Sequence, residues 1–202
     1  MSEETAVRGR KAEQSEATRA ALVAAARKLF GKRGYADVGT EEIVRRAGVT
    51  RGALYHHFGG KRDLLEAVYE QVEADLTRTI AEGALAAGTD SPIEAMQAAT
   101  EMFLDACTEP EVQRIVLLDA PAVLGWERWR EIAAKYGLGL VEASLQAAMD
   151  AGEIAEQPVK PLAHVLMGAL DEAAMLVARS DDPQTREEVA AALRRLSDAM
   201  RV

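Results

Sequence analysis

Six side chains in a run of 23 residues, TEEIVRRAGVTRGALYHHFGGKR at 40–62, have types and spacing suited to recognising a charged polymer. Arg51 carries a planar fork that can address a guanine edge or two phosphates. Tyr55, one helical turn on, and His56 beside it suit a phosphate oxygen or a thymine methyl group. Thr40 and Lys61 stand at helix starts, where a hydroxyl, an ammonium and free backbone amides can meet phosphates, and Thr50 lies on the helix of Arg51. Gly52, with no side chain, lets the helix that carries Arg51 come close to a duplex.

No grouping suited to bond making accompanies them. Ser144 and Ser180 have no neighbouring base, Cys107 has no histidine close in sequence, and there is no glycine-rich phosphate loop. His56 and His57 are adjacent, so a helix points them apart, and no cysteine or carboxylate stands at ligand spacing. No enzyme activity, metal or cofactor is expected.

The elements that position these residues follow from periodicity. Residues 1–15, with Arg8, Gly9, Arg10 and Lys11, read as a flexible basic arm. Apolar residues then recur at three and four over 16–33 (Leu22, Ala25, Ala26, Leu29, Phe30), the signature of an amphipathic helix. Thr40 opens a second helix in a place where its hydroxyl can cap or touch phosphate, and Ile43, Val44 and Ala47 form that helix's inner side. Gly48 supplies a turn. A third helix runs to about His57, with Ala53, Leu54 and Phe58 inward and Arg51, Tyr55 and Thr50 outward. This order suits a helix-turn-helix, and residues 16–62 are assigned to it.

A long helix starts near Lys61, and residues 63–202 read as a helical body. Ser91-Pro92-Ile93-Glu94 is a capped helix start with a capping box. A short segment opens at Pro110 and is interrupted by Pro121, and another helix follows from Gly125 to Asp150. Trp126 and Trp129 share one face there, with Tyr136 two turns on. With Met96, Phe103, Cys107 and Leu117 they either line an apolar effector pocket or fill the core.

From Pro161 to Arg179 apolar residues cover most of the circumference, so that helix needs burial on most sides. Leu162, Leu166, Leu170 and Val177, with Leu193 and Leu196 of the last helix, are the candidate dimer contacts about a two-fold axis. His164 and Asp171, two turns apart on this helix, are partners across a dimer, ligand handles, or satisfied core residues; Glu172 is a third. The fold class is all-α, with about nine helices.

Charge separates the two parts. The chain has a formal net charge of −9, but residues 1–62 hold 13 Lys or Arg against 7 Asp or Glu, leaving 11 against 26 beyond. A basic head can meet phosphates while an acidic body faces away, although acidity also serves solubility alone. With 49% apolar residues the chain is outside the disordered class. A single cysteine excludes a disulfide framework, and a charged N-terminus is unlike a signal sequence. A cytoplasmic protein without membrane attachment is the expectation.

The segment 22–66 resembles the N-terminal domain of the TetR family of bacterial transcriptional regulators. The resemblance rests on Leu29-Phe30, Gly34-Tyr35, Thr40, Ala47-Gly48-Val49, Leu54-Tyr55-His56-His57-Phe58 and Lys61. It implies an all-helical homodimer whose divergent body encloses a small-molecule site, most members releasing a DNA operator when ligand binds. It assigns phosphate contacts to Thr40 and Lys61, and the recognition helix to Thr50, Arg51 and Tyr55. Gly59-Gly60 depart from the family's usual serine or lysine, so a looser contact is expected there. Asp119, Pro121, Gly125, Trp126 and Trp129 resemble one regulator subgroup of undefined ligand. The expected function is repression of transcription from a palindromic operator, relieved by a mostly apolar effector. The alternative is a small-molecule binding or scaffold protein with a degenerate head.

Overall fold

The computed structural model describes residues 3–86 and 88–202, with the side chains of 3–8 and 10 outside the description. Its helices are α1 (Glu3–Arg33), α2 (Thr40–Ala47), α3 (Arg51–His57), α4 (Lys61–Ala86), α5 (Pro92–Thr108), α6 (Pro110–Val112), α7 (Ala120–Leu124), α8 (Trp126–Asp150), α9 (Val159–Arg179) and α10 (Gln184–Asp198). A π-helical segment, Gln113–Asp119, joins α6 to α7, so Pro110 to Leu124 is one continuous run and the described residues form nine such runs. The only other pairing among them is an isolated bridge between Ile154 and Arg201. The chain divides into two compact units, Met1–Glu70 and Gln71–Val202, and α4 runs through the division.

In the first unit α1 begins earlier than its apolar period suggests. The backbone is helical from Glu3, so the expected arm at 1–15 is, from residue 3 onward, part of α1. Ala, Glu, Gln, Arg and Lys dominate that stretch and favour helix without any buried face to announce it. The arm's Arg8 and Arg10 side chains lie outside the described residues. Farther along, Leu22, Ala26, Leu29 and Phe30 are buried with Ile43 and Val44 of α2, Leu54 and Phe58. α3 has only seven residues, too short to persist alone. Burial of Leu54 contributes about 1.5–3 kcal/mol, and the Thr50 hydroxyl accepts the Ala53 amide at 3.2 Å as its cap.

In the second unit, the start of α5 is held from a distance. Ser91 Oγ accepts the Glu94 amide at 3.3 Å, and the Glu153 carboxylate accepts both the Ser91 hydroxyl (3.0 Å) and the Ile93 amide (2.9 Å). The expected capping box closes differently: Glu94 takes the Thr89 hydroxyl at 2.6 Å, and Thr89 Oγ1 accepts the Ser91 amide.

Pro121 does not interrupt the helical run. The Ala120 amide reaches back to Ile115, one residue farther than in an α-helix, and proline has no amide to offer. The Val116 carbonyl thereby loses both helical donors. The Trp129 indole N–H donates to it at 2.8 Å, in a buried setting. The proline is accommodated by a π-turn, and a tryptophan on another helix satisfies the orphan acceptor.

α9 is long and apolar enough to cross a membrane by length and composition alone. Here it packs against α5, α8 and α10, and its buried Asp171 is paired with Arg130 of α8. Burial is the larger influence on Asp171 and pushes its carboxyl up to about 6, while Arg130 pulls the other way.

Two stability measurements check these accounts. Trp129→Phe leaves the Val116 carbonyl without its donor, and urea denaturation should show a loss of about 1–3 kcal/mol. Because Asp171 binds its proton more tightly in the folded protein than at the ordinary 3.8, its stabilising contribution is full below that pH and is lost as pH rises through about 6. Thermal melting of Asp171→Asn across that interval should show a flatter pH dependence than the parent chain.

Candidate functional site

The recognition surface is built on α3. The chain leaves α2 through Gly48, whose left-handed backbone (φ 69°) lets its amide return to Arg45 at 3.3 Å and the Val49 amide to Val44 at 3.0 Å. Thr50 then caps α3, and with Leu54 and Phe58 buried, Arg51, Tyr55 and His56 are exposed. The Arg51 guanidinium lies 5.7 Å from the Tyr55 ring centre and 3.8 Å from the Glu41 carboxylate. A hydrogen bond to Tyr55, more than Glu41, raises its pKa above the ordinary arginine value, so it carries full charge. A β-carbon at Gly52 would meet nothing nearer than Thr50 Oγ1 at 3.8 Å, so this side of α3 is open to close approach.

Thr40 is the first helical residue of α2, half-buried, and Gly39 occupies the cap position with no side-chain cap bond. The expected capping role therefore does not hold for Thr40. Arg33 of α1 forms an ion pair with Glu42 and donates to the Asp37 carbonyl at 3.3 Å, tying down the linker before α2. Lys61 opens α4 with its ammonium 4.0 Å from the centre of the Tyr35 ring. The Gly59 amide donates to the Asp63 carboxylate at 3.0 Å, so the double glycine before α4 is anchored by a side chain of α4 itself.

The second unit encloses a cavity of about 130 Å³ among α4, α5, α8, α9 and α10. Of the effector candidates, Met96 and Phe103 line it. The other seven do not. Cys107, Leu117 and Trp129 are buried in the core, Trp126 is 54% exposed, His164 is exposed, and Tyr136 is half-buried with the Lys135 ammonium 4.9 Å from its ring centre. Asp171 is committed to Arg130. Burial above all, then Glu73 and Asp171, pushes the Cys107 thiol up to about 12, which leaves it protonated and unreactive.

The dimer candidates also redistribute. Leu166, Leu170, Leu193 and Leu196 line the cavity, Leu162 packs on a core with Ile93 and Leu145, and Val177 is buried with Leu104 and Val189. The exposed apolar side chains of α9 are instead Val165 and Leu176, and on α10 Leu196 is 54% exposed. A helix apolar all round does not announce which side meets its own body. Wall residues missed in the sequence include Glu73, Leu76, Thr77 and Ile80 of α4 and Thr100, Gly137 and Ser144. Their period along α4 was legible, but not that α4 borders a void. Among the described residues no group of three His, Cys, Asp or Glu is placed to hold a metal ion.

Comparison with known proteins agrees with both halves. Residues 22–68 match the family described as "Bacterial regulatory proteins, tetR family", and residues 93–200 match "Tetracyclin repressor-like, C-terminal domain". A TetR-family transcriptional regulator from Pectobacterium atrosepticum superposes with a TM-score of 0.82 at 36% identity, over 94% of this chain and 97% of that one. The Tn10 TetC protein of Escherichia coli is 29% identical over 162 residues, 77% of this chain and 78% of that protein. The head alone is 46% identical to the transcriptional regulator SrpR of Pseudomonas putida over 57 residues, 28% of this chain and 27% of that protein. With its body matched over more than half of its length and a solved relative above 30% identity across nearly all of it, the chain belongs to the TetR family of helix-turn-helix, DNA-binding transcriptional regulators.

Proposed function

We propose that the protein is a homodimeric repressor that holds a palindromic operator until a small, mostly apolar effector enters the body cavity. The observation that carries this reading is the exposed Arg51–Tyr55 side of α3 in a basic head, combined with an apolar cavity walled partly by α4, the helix that Lys61 opens. One helix thus has an end at the phosphate-contacting position and a wall at the ligand. Two α3 helices would enter successive major grooves about 34 Å apart. The effector acts only as far as it binds one spacing of the two heads better than the other.

In this reading Arg51 addresses a base edge, Thr50, Tyr55 and His56 support it, and Thr40 and Lys61 hold phosphates. The dimer forms through α9 and α10 around Val165, Leu176 and Leu196, large apolar side chains that a monomer leaves in water.

Selection of bound duplexes from a random pool tests the function directly. An inverted repeat is the expected product, and weak binding of all sequences that vanishes near physiological salt would favour the scaffold alternative. Arg51→Ala should cost about 1–3 kcal/mol of discrimination at one position of each half-site, whereas a uniform loss across all sequences would reduce Arg51 to a phosphate contact. Val165→Glu should give a monomer in sedimentation and weaken operator binding with it. An unchanged dimer would move the interface elsewhere.

A further inference from the structure

The polar part of the cavity wall is one-sided. Among the described residues, Glu73 is the single charged one lining it, and no lysine, arginine or histidine takes part. Its side chain is deeply buried, at 8% exposure. Its charge reaches across to α5, where it helps burial to raise the Cys107 thiol.

Four hydroxyls complete the polar lining, and three have already given their protons to carbonyls of their own helices. Thr100 donates to Met96 at 2.9 Å, Ser144 to Leu140 at 2.9 Å, and Ser197 to Arg194 at 2.8 Å. The Thr100 and Ser144 oxygens can still accept, whereas Ser197 Oγ already accepts the Gln97 side-chain amide at 2.7 Å. Thr77, one turn along α4 from Glu73, is the fourth. The wall is therefore rich in acceptors and poor in donors. Glu73 also interacts within the protein, and a carboxylate offers about four lone-pair sites in all.

We propose that the cavity selects small apolar molecules bearing a protonated primary amine, seated against Glu73, and rejects the corresponding carboxylates. This rests on the reading of the cavity as the effector site. An ammonium entering such a space loses its water, but it meets an opposite charge and unspent acceptors. A carboxylate loses as much water and meets a like charge with almost no donors. The volume suits a single ring, since a dry protein cavity of about 150 Å³ holds benzene.

Isothermal titration of the full chain at pH 7 with benzylamine, benzyl alcohol and benzoate tests this. Benzylamine should bind about tenfold or more tighter than benzoate. Glu73→Gln, checked for folding by thermal melting, should narrow that gap to less than about threefold. Leu170→Trp, which fills the cavity, should abolish benzylamine binding. Equal affinity for the three probes, tighter binding of benzoate, or a gap that survives in Glu73→Gln overturns the amine preference and leaves the effector site standing. No binding by any probe, or benzylamine binding undiminished in Leu170→Trp, overturns the site and the preference together. Should Glu73→Gln fail to fold, the comparison of amine with carboxylate on the parent chain decides by itself.

Discussion

Between the last residue of α2 and the first of α3 the chain has three residues in which to end one helix, reverse, and cap the next. That brevity depends on the left-handed backbone at Gly48. A side chain there would be strained by about 1–2 kcal/mol, and lengthening the connection to avoid the strain would free α3 to rotate. Everything the head presents follows from this turn. It sets the angle at which Leu54 and Phe58 enter the core, and their burial decides that Arg51 and Tyr55 point out.

The body is organised by a different economy, in which each departure from regular helix is met by a side chain from elsewhere. Pro121 shifts the run from Pro110 to Leu124 into a π-turn, and the carbonyl this strands is answered by Trp129. Glu153 secures the first turn of α5 across some sixty positions of sequence. Arg130 keeps a buried carboxylate on α9 from standing alone. At Gly83 a β-carbon would run into the end of the Met102 side chain, which would have to swing aside. The cavity is the space left among helices otherwise pinned by such contacts.

The head was almost wholly legible in the sequence. Its periods are strong, its turn residues are unmistakable, and the residues from Thr40 to Lys61 carry a family pattern. The start of α1 was not, because a polar helix without a buried side has no period to read. In the body, Pro121 looked like a break because the backbone's option of a wider turn leaves no trace in composition. Trp126 and Trp129 drew attention as the largest apolar residues, yet Trp129 serves a backbone carbonyl and its neighbour faces outward. The wall of the cavity is built instead from methionine, leucine, threonine and serine on five helices. Such residues are common enough that only packing distinguishes a wall from a core. The same holds for α9 and α10, whose leucines could have met the body or another chain.

The Arg51–Glu41 contact spans 3.8 Å between two well-exposed side chains. A pair so exposed is worth less than about 1 kcal/mol, so a well-matched site dissolves it with little loss. Arg51 is therefore held beside a carboxylate without being locked to it, and keeps the freedom to turn toward another partner.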